Sequence, residues 1–471
     1  MKLGKKTKIV CTIGPATESE EMLTKLVDAG MNVMRLNFSH GDFAEHQNRV
    51  DNIRKVMKKT GKIVAVMQDL GGPKIRIGEF KDGMITLKEG QTFALTTDEI
   101  LGDENRVFVN YPLLPKEVKV GGLVMLHDGT KKLEVTEIKG NDVICKVLVG
   151  GEIKGRRGVN LPGANLSISA ITAKDREDLK FGIKNNVDYF ALSFVRRPDD
   201  IKELREILKK ENVDARIIAK IETPEALENI DAILELTDAL MVARGDLAIE
   251  IPAEDVPLVQ KMLITKAHAY GRPIIVATQM LESMIKTPVP TRAEVSDVAN
   301  AVVDGTDAIM LSEETTLGKY PVEAVQMMTR IANRIEREMA SEGIINTIED
   351  YYNVSDVVSC GAVRIAQELG AEYIVTLSHT GRTPRFIARH RPVQQIITFT
   401  PDERVASRLM LLYGCYPVVV PIIKSLDKAS STVREMLLKE NLASTGDKVV
   451  IVTGIPIGEV NETNALYVET V

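Results

Sequence analysis

Lys220-Ile221-Glu222 sets an ammonium and a carboxylate two residues apart. On a strand that spacing sends both side chains out of one face. Further on, Arg244-Gly245-Asp246 offers a second carboxylate beside a glycine. Two carboxylates from neighbouring strands, with phosphate oxygens and water completing the shell, suit a hard divalent cation such as Mg2+. The glycine also frees backbone N–H groups to hold an anion. A structural ion pair between Lys220 and Glu222 is the competing reading. Other machinery is missing: there is no GxxxxGK[ST], GxGxxG or HExxH, which removes the P-loop, dinucleotide-fold and zincin readings. Six scattered His suggest no Ser-His-Asp arrangement. The remaining tools are carboxylates, Lys, Arg and hydroxyls.

These groups need strands to hold them. Short runs rich in Val and Ile occur at Lys8–Ile13, Asn32–Asn37, Lys62–Asp69, Val187–Phe194, Arg216–Glu222, Ala239–Arg244, Pro273–Thr278 and Asp307–Leu311. Their near-continuous apolarity marks strands buried on both faces, as in parallel sheets. Amphipathic stretches lie between them, among them Ser19–Ala29, Glu45–Thr60 and Thr291–Val303. Thr17 followed by Glu20 reads as a capping box, and Gly30 as the end of that helix. Eight strands alternating with helices predict an α/β fold, a (β/α)8 TIM barrel, with a doubly wound open sheet as the rival. Catalytic groups then belong at the C-terminal ends of the strands. Those ends supply Arg35, Asn37, Asp69, Ser193, Lys220, Glu222, Arg244, Asp246, Thr278, Ser312 and Glu314.

From Gly72 to Ser167 the helical period gives way to short alternating segments, such as Met84–Leu87 and Gln91–Thr96, spaced by Gly, Asp and Asn. That predicts an all-β insertion after the third strand, placed as a lid over the catalytic face or as plain decoration. A polar linker is expected over Ser341–Asn353, and a smaller α/β domain follows it. The expected domains are thus a barrel over 1–71 and 168–340, a β lid over 72–167 and a C-terminal α/β domain over 350–471.

Composition narrows the partners. The 60 Lys+Arg against 66 Asp+Glu leave a net charge of −6, without the basic excess of a nucleic-acid binder. Aromatics are 4% and Trp is absent, which argues against stacking platforms. Cys11, Cys145, Cys360 and Cys415 form no CxxC pair, so neither a zinc site nor a disulfide framework is suggested. The longest uncharged run, Leu409 to Ile423, is broken by Gly414, Pro417 and Pro421 and is too short for a bilayer. The basic start, Met1 to Lys6, runs into a strand and not a leader-like apolar core. A soluble cytoplasmic protein with no nucleic-acid or membrane partner is the expectation.

Several longer segments carry a resemblance. Cys11-Thr12-Ile13-Gly14-Pro15, Met34-Arg35-Leu36-Asn37-Phe38-Ser39-His40-Gly41, Ala219-Lys220-Ile221-Glu222, Met241-Val242-Ala243-Arg244-Gly245-Asp246-Leu247, Ala277-Thr278-Gln279-Met280-Leu281 and Pro290-Thr291-Arg292-Ala293-Glu294 resemble, in order, the signature segments of the pyruvate kinase family. The resemblance implies phosphoryl transfer from phosphoenolpyruvate to ADP, giving pyruvate and ATP in the last step of glycolysis. It implies that Glu222 and Asp246 hold Mg2+ (or Mn2+), and that Lys220 and Arg35 stabilise the phosphoryl group. Thr278 would deliver a proton to the enolate, with Ser296 as a more distant relay. Backbone N–H groups of Gly245 and Asp246 would hold the substrate carboxylate, and Pro15, Asn37, His40, Arg76 and Arg157 would hold the nucleotide. Ser378, Thr380, Gly381, Arg382 and Thr383 would receive a phosphorylated effector, although a plain helix cap reads equally well there. The family is typically a homotetramer.

The chain departs from the family pattern in places. The family's K+ site would comprise Asn37, Ser39, Asp69 and Leu70, but Lys74 stands where Glu is usual. An ammonium on a flexible stem can take the place of K+, so K+ independence is expected. His127 replaces an acid in the lid, leaving Asp128 as its acidic contact, while Arg157 replaces Lys and Glu313 replaces Gly. A Mg2+-dependent aldolase or lyase and an inactive homologue are the alternatives. The lid and the nucleotide-side residues weigh against the first, and the presence of Lys220, Glu222, Asp246 and Thr278 against the second.

Overall fold

The computed structural model describes residues 4–342 and 353–471, so the linker expected over Ser341–Asn353 falls almost wholly outside the described residues. Eight parallel strands form the first unit: β1 (Lys8–Thr12), β2 (Val33–Asn37), β3 (Ala65–Asp69), β4 (Tyr189–Leu192), β5 (Arg216–Ile221), β6 (Ala239–Ala243), β7 (Ile274–Ala277) and β8 (Ala308–Leu311). They pair in sequence order, and β8 returns to β1 from Lys8↔Ala308 to Cys11↔Leu311. That closure excludes the open-sheet rival. Along β1, Ile9 and Cys11 join the cluster packed under the helices while Val10 joins the barrel interior. Both faces are buried, which is why the strands read as continuous apolar runs.

One local expectation fails. The helix Glu20–Ala29 is capped by Ser19, whose hydroxyl accepts from the Met22 N–H at 3.2 Å. Thr17 sits two residues too early and is fully buried, its hydroxyl donating to the Thr315 carbonyl at 2.7 Å. It ties the loop after β1 to the loop after β8. Gly30 does end the helix, at φ 124°, where a side chain would be strained.

After β3 the chain leaves the barrel and returns through the helix Ala173–Lys184, so the insertion lies between a strand and its helix. It contains a six-stranded sheet and a two-stranded sheet around a core that includes Phe93, Leu95, Val107 and Val147. The single exception to its all-β character is the helical turn Leu114–Glu117, which the alternation hid.

The C-terminal domain has five strands: β9 (Tyr373–Leu377), β10 (Gln395–Thr400), β11 (Cys415–Val419), β12 (Lys448–Thr453) and β13 (Ala465–Thr470), ordered β11-β10-β9-β12-β13. The first four are parallel and β13 is antiparallel to β12. The sequence reading missed β13, a partly exposed edge strand with no strongly apolar run. It also started β11 at Pro417, two residues late. Proline lacks an N–H to donate, and an edge strand tolerates that.

This domain closes the barrel's N-terminal mouth. Leu411, fully buried, and Met410 pack onto the interior layer of Val10, Met67, Ala191, Ile218 and Met241. Around them Arg391 binds both oxygens of Asp307 at 2.9 and 2.7 Å, the Tyr189 hydroxyl donates to the Arg408 carbonyl at 2.6 Å, and Lys8 donates to the Cys415 carbonyl at 2.6 Å. Leu411→Ala is expected to cost about 2–5 kcal/mol of stability, the usual range for a buried leucine. Denaturant unfolding at unchanged m-value checks this.

Candidate active site

Lys220 is the penultimate residue of β5 and is buried, which would ordinarily work against its charge. Its Nζ lies 2.9 Å from Glu222 Oε1 and 3.3 Å from Asp69 Oδ1, and donates to Ser193 Oγ at 2.6 Å. Burial pulls the ammonium down, yet Asp69 and Glu222 together more than reverse this and hold it above the ordinary lysine range. Across the same carboxylate, Arg35 Nε meets Asp69 Oδ2 at 2.7 Å, and its Nη1 donates to Thr12 Oγ1 at 2.8 Å. Burial raises Asp69, but Arg35 and Lys220 outweigh it and keep the carboxyl below the usual carboxylate range. Four strands thereby contribute to one buried charge network: β1, β2, β3 and β5.

Glu222 is fully buried. Its Oε2 accepts from the Phe194 N–H at 2.7 Å, while Oε1 receives no aligned hydrogen bond despite the nearby Lys220 ammonium. Burial raises the Glu222 carboxyl above its usual range; Lys220 opposes this and the Asp246 charge adds to it. Two acids that repel each other, one with a buried oxygen whose charge partner is the Lys220 ammonium, fit a divalent cation. Asp246 is half-buried in the helix Arg244–Glu250, which starts directly after β6.

Thr278 follows β7 at φ 72°, and Gln279 at 54°. A β-branched residue rarely accepts that backbone, and such strain concentrates at functional sites. The Thr278 hydroxyl accepts from the Gly245 N–H at 2.8 Å and donates to the Ala277 carbonyl at 2.6 Å. The Gly245 amide, expected to be free for an anion, is therefore engaged by Thr278. Arg244 holds this turn in place: it binds both Asp297 oxygens at 2.7 Å and donates to the Thr278 carbonyl at 2.8 Å. Sequence reading gave Arg244 no partner, because Asp297 lies 53 residues away with no local signal.

A cleft of about 370 Å³ separates lid from barrel, with Asp246, Lys74, Arg76 and Asp128 on its wall. Asn160 of the lid donates to Glu250 of the barrel at 2.8 Å across it. Arg196 donates to the Leu166 and Ile168 carbonyls, and Arg197 to Asn165, which fixes the chain where it re-enters the barrel. His40 is held below its ordinary range by partial burial and then by Lys74, Arg76 and Arg35, against Glu313. Arg157 keeps a buried Nε with no hydrogen-bond partner among the described residues, and Pro15 is exposed beyond β1.

Other expected groups are not brought together. Lys74 is exposed, and its ammonium makes no hydrogen bond or ion pair among the described residues. The Leu70 carbonyl accepts instead from Ser193 at 2.7 Å, and the Asn37 side chain accepts from the Ser39 N–H at 3.1 Å. Ser296 is exposed, and its hydroxyl accepts from the Asn300 side chain at 3.4 Å. Glu314 is structural, accepting from the N–H groups of Ser312 and Leu281. In the C-terminal domain, Ser378 Oγ accepts from the Gly381 N–H at 3.0 Å, as a cap does. Ser378, Thr380, Arg382 and Thr383 share a cavity of about 40 Å³ with Glu459. No helix among the described residues is long and apolar enough to cross a membrane.

Asp69→Asn leaves two buried cations short of one anion and is expected to destabilise the protein by about 3–5 kcal/mol. Because the folded pKa of Asp69 is depressed, its contribution is present above the unfolded value of about 3.9 and lost as pH falls through and below it. Stability measured against pH should show that acid-side loss in the wild type and a smaller one in the variant.

A family model described as the pyruvate kinase barrel domain matches residues 4–325, and one described as the pyruvate kinase alpha/beta domain matches residues 356–469. The pyruvate kinase of Geobacillus stearothermophilus is 46% identical, over 99% of this chain and 80% of the relative. That of Staphylococcus aureus strain MRSA252 is 45% identical over the same shares. The crystal structure of a pyruvate kinase from Cryptosporidium parvum superposes with a TM-score of 0.92 at 38% identity, covering 99% of this chain and 96% of that one. With both of its domains matched and relatives aligned along nearly all of its length, the chain belongs to the pyruvate kinase family.

Proposed function

We propose that this chain moves a phosphoryl group from phosphoenolpyruvate to ADP, forming pyruvate and ATP in the last step of glycolysis. The buried Lys220 ammonium, fixed between Asp69 and Glu222 with Arg35 on the far side of Asp69, is the observation that carries it. A loose phosphoryl-transfer transition state spreads negative charge over equatorial oxygens and is stabilised by positioned cations. Lys220 and Arg35 supply fixed cations, and no nucleophilic side chain is required. Glu222 and Asp246 would hold Mg2+ (or Mn2+), which when bound adds Lewis-acid stabilisation of phosphoryl oxygens.

The Thr278 hydroxyl would pass a proton to the enolate left behind. A hydroxyl is too weak an acid to do so unaided, so water would feed it, with Ser296 an outlying member of that relay. A substrate carboxylate would take the Gly245 N–H from Thr278, which frees that hydroxyl as the site fills. On the nucleotide side, Pro15, Asn37, His40, Arg76 and Arg157 would hold ADP, and the cations around His40 suit a polyphosphate. Lid closure would keep water from intercepting the phosphoryl group.

K+ independence belongs to the same proposal: the Lys74 ammonium, on a flexible stem at the cleft wall and close enough to His40 to act on it, would supply the charge that a bound K+ brings. A cytoplasmic homotetramer completes the proposal. At the Ser378–Thr383 loop, a phosphorylated effector would use Thr380, Gly381, Arg382 and Thr383, since the Ser378 hydroxyl is already engaged.

A coupled assay of pyruvate formation tests the reaction. Lys220→Met is expected to lower turnover about 10³-fold or more with the fold intact by circular dichroism; near-normal turnover would remove Lys220 from the chemistry. Replacing K+ with a bulky organic cation at equal ionic strength is expected to change turnover less than about twofold, and a tenfold dependence would end the Lys74 reading.

A further inference from the structure

A second concentration of charge lies where the barrel meets the C-terminal domain. Asp238, just before β6, accepts from Arg205 at 2.8 Å, Arg216 at 3.4 Å and the Ile217 N–H at 2.9 Å. Arg272, just before β7, donates to the carbonyls of Leu234 at 3.0 Å and Glu235 at 3.1 Å. The guanidinium of Arg385, on the helix Arg382–Ala388 of the other domain, makes no hydrogen bond or ion pair among the described residues. Burial, then repulsion from Arg272, brings its guanidinium down to about 10; Asp238 opposes this and Arg216 adds to it. One carboxylate thus serves four guanidinium groups. Of the other acids, Asp214 interacts with Arg216 but is taken by Arg408, and Asp231 and Glu235 act on Tyr270, with Asp231 taken by Lys266.

Arg272, Arg382 and Arg385 open onto a cavity of about 220 Å³ completed by Tyr270, Gly271 and Phe386, with no acid on its wall. Arg382 is held over the Phe386 ring at 5.3 Å. We propose that this cavity binds a phosphate dianion, free or carried by a small phosphorylated metabolite, between Arg272 of the barrel and Arg382 and Arg385 of the C-terminal domain. Planar guanidinium forks match phosphate oxygens, and a dianion removes the repulsion among them. The site is separate from the hydroxyl-lined loop cavity, with which it shares only Arg382. Because its walls come from two domains, occupancy joins them and stabilises the folded chain.

Calorimetric titration of the full-length protein with inorganic phosphate and, separately, glycerol 3-phosphate, at ionic strength fixed with chloride, tests this. The active-site cleft is also cationic, so the readout is the class of binding that Arg385→Gln removes. Expected are saturable binding weakened at least about tenfold in Arg385→Gln, and binding within about twofold of wild type in Thr380→Val and Arg434→Gln. If Arg385→Gln fails to fold, Arg385→Lys and Arg272→Lys keep the charge, lose the fork, and are expected to weaken binding at least about threefold. Tighter binding of the ester assigns the site to a phosphorylated metabolite, and equal binding to the free anion; either supports the proposal. An unchanged isotherm in Arg385→Gln, an equal loss in Thr380→Val, or no saturation by about 20 mM overturns it.

Discussion

The catalytic end of this molecule depends on one carboxylate having two cations. Asp69 holds Arg35 on one oxygen and Lys220 on the other, and all three side chains are out of water. Each close pair is worth roughly 5 kcal/mol at an effective dielectric near 20, against several kcal/mol to desolvate each ion. No isolated member could stay charged there. The network survives because Glu222, Ser193 and Thr12 satisfy what Asp69 cannot. Under the proposed function, the cations for a phosphoryl group would be in place before any substrate arrives, and the chemistry would need little reorganisation.

That network also explains what the barrel is for. β1, β2, β3 and β5 are parallel and pinned by side chains packed on both faces, so the strand ends cannot drift apart. The lid and the C-terminal domain then act at opposite mouths. The lid reaches the catalytic side through Asn160 and Glu250 and is anchored at its return by Arg196 and Arg197. The C-terminal domain occupies the other mouth with Leu411 and a ring of buried polar contacts.

Much of this was legible in the sequence, for physical reasons. Strands buried on both faces leave continuous apolar runs, so all eight barrel strands could be read, and the two-residue spacing of Lys220 and Glu222 placed them side by side. What stayed hidden depends on residues far apart in the chain or on backbone shape. Arg244 and Asp297, Thr12 and Arg35, and Asn160 and Glu250 meet only after folding. The left-handed turn at Thr278 and Gln279 has no local signature, since neither residue favours it, and it is what turns the Thr278 hydroxyl onto the Gly245 N–H. Lys74 shows the reverse limit: the substitution is plain in the sequence, while its ammonium stands on the cleft wall with no hydrogen bond or ion pair among the described residues to fix it. Ser19 and Thr17 differ in position by two residues and in role completely.

Leu411 has one more implication. A barrel usually supplies its own floor from layers of interior side chains; here part of that floor is borrowed from another domain. A barrel cut off from the C-terminal domain would carry an open oily well, beside an Asp307 carboxylate that had lost its Arg391 partner. Such a surface would be sticky toward its own copies, so the small domain also keeps its larger neighbour dry.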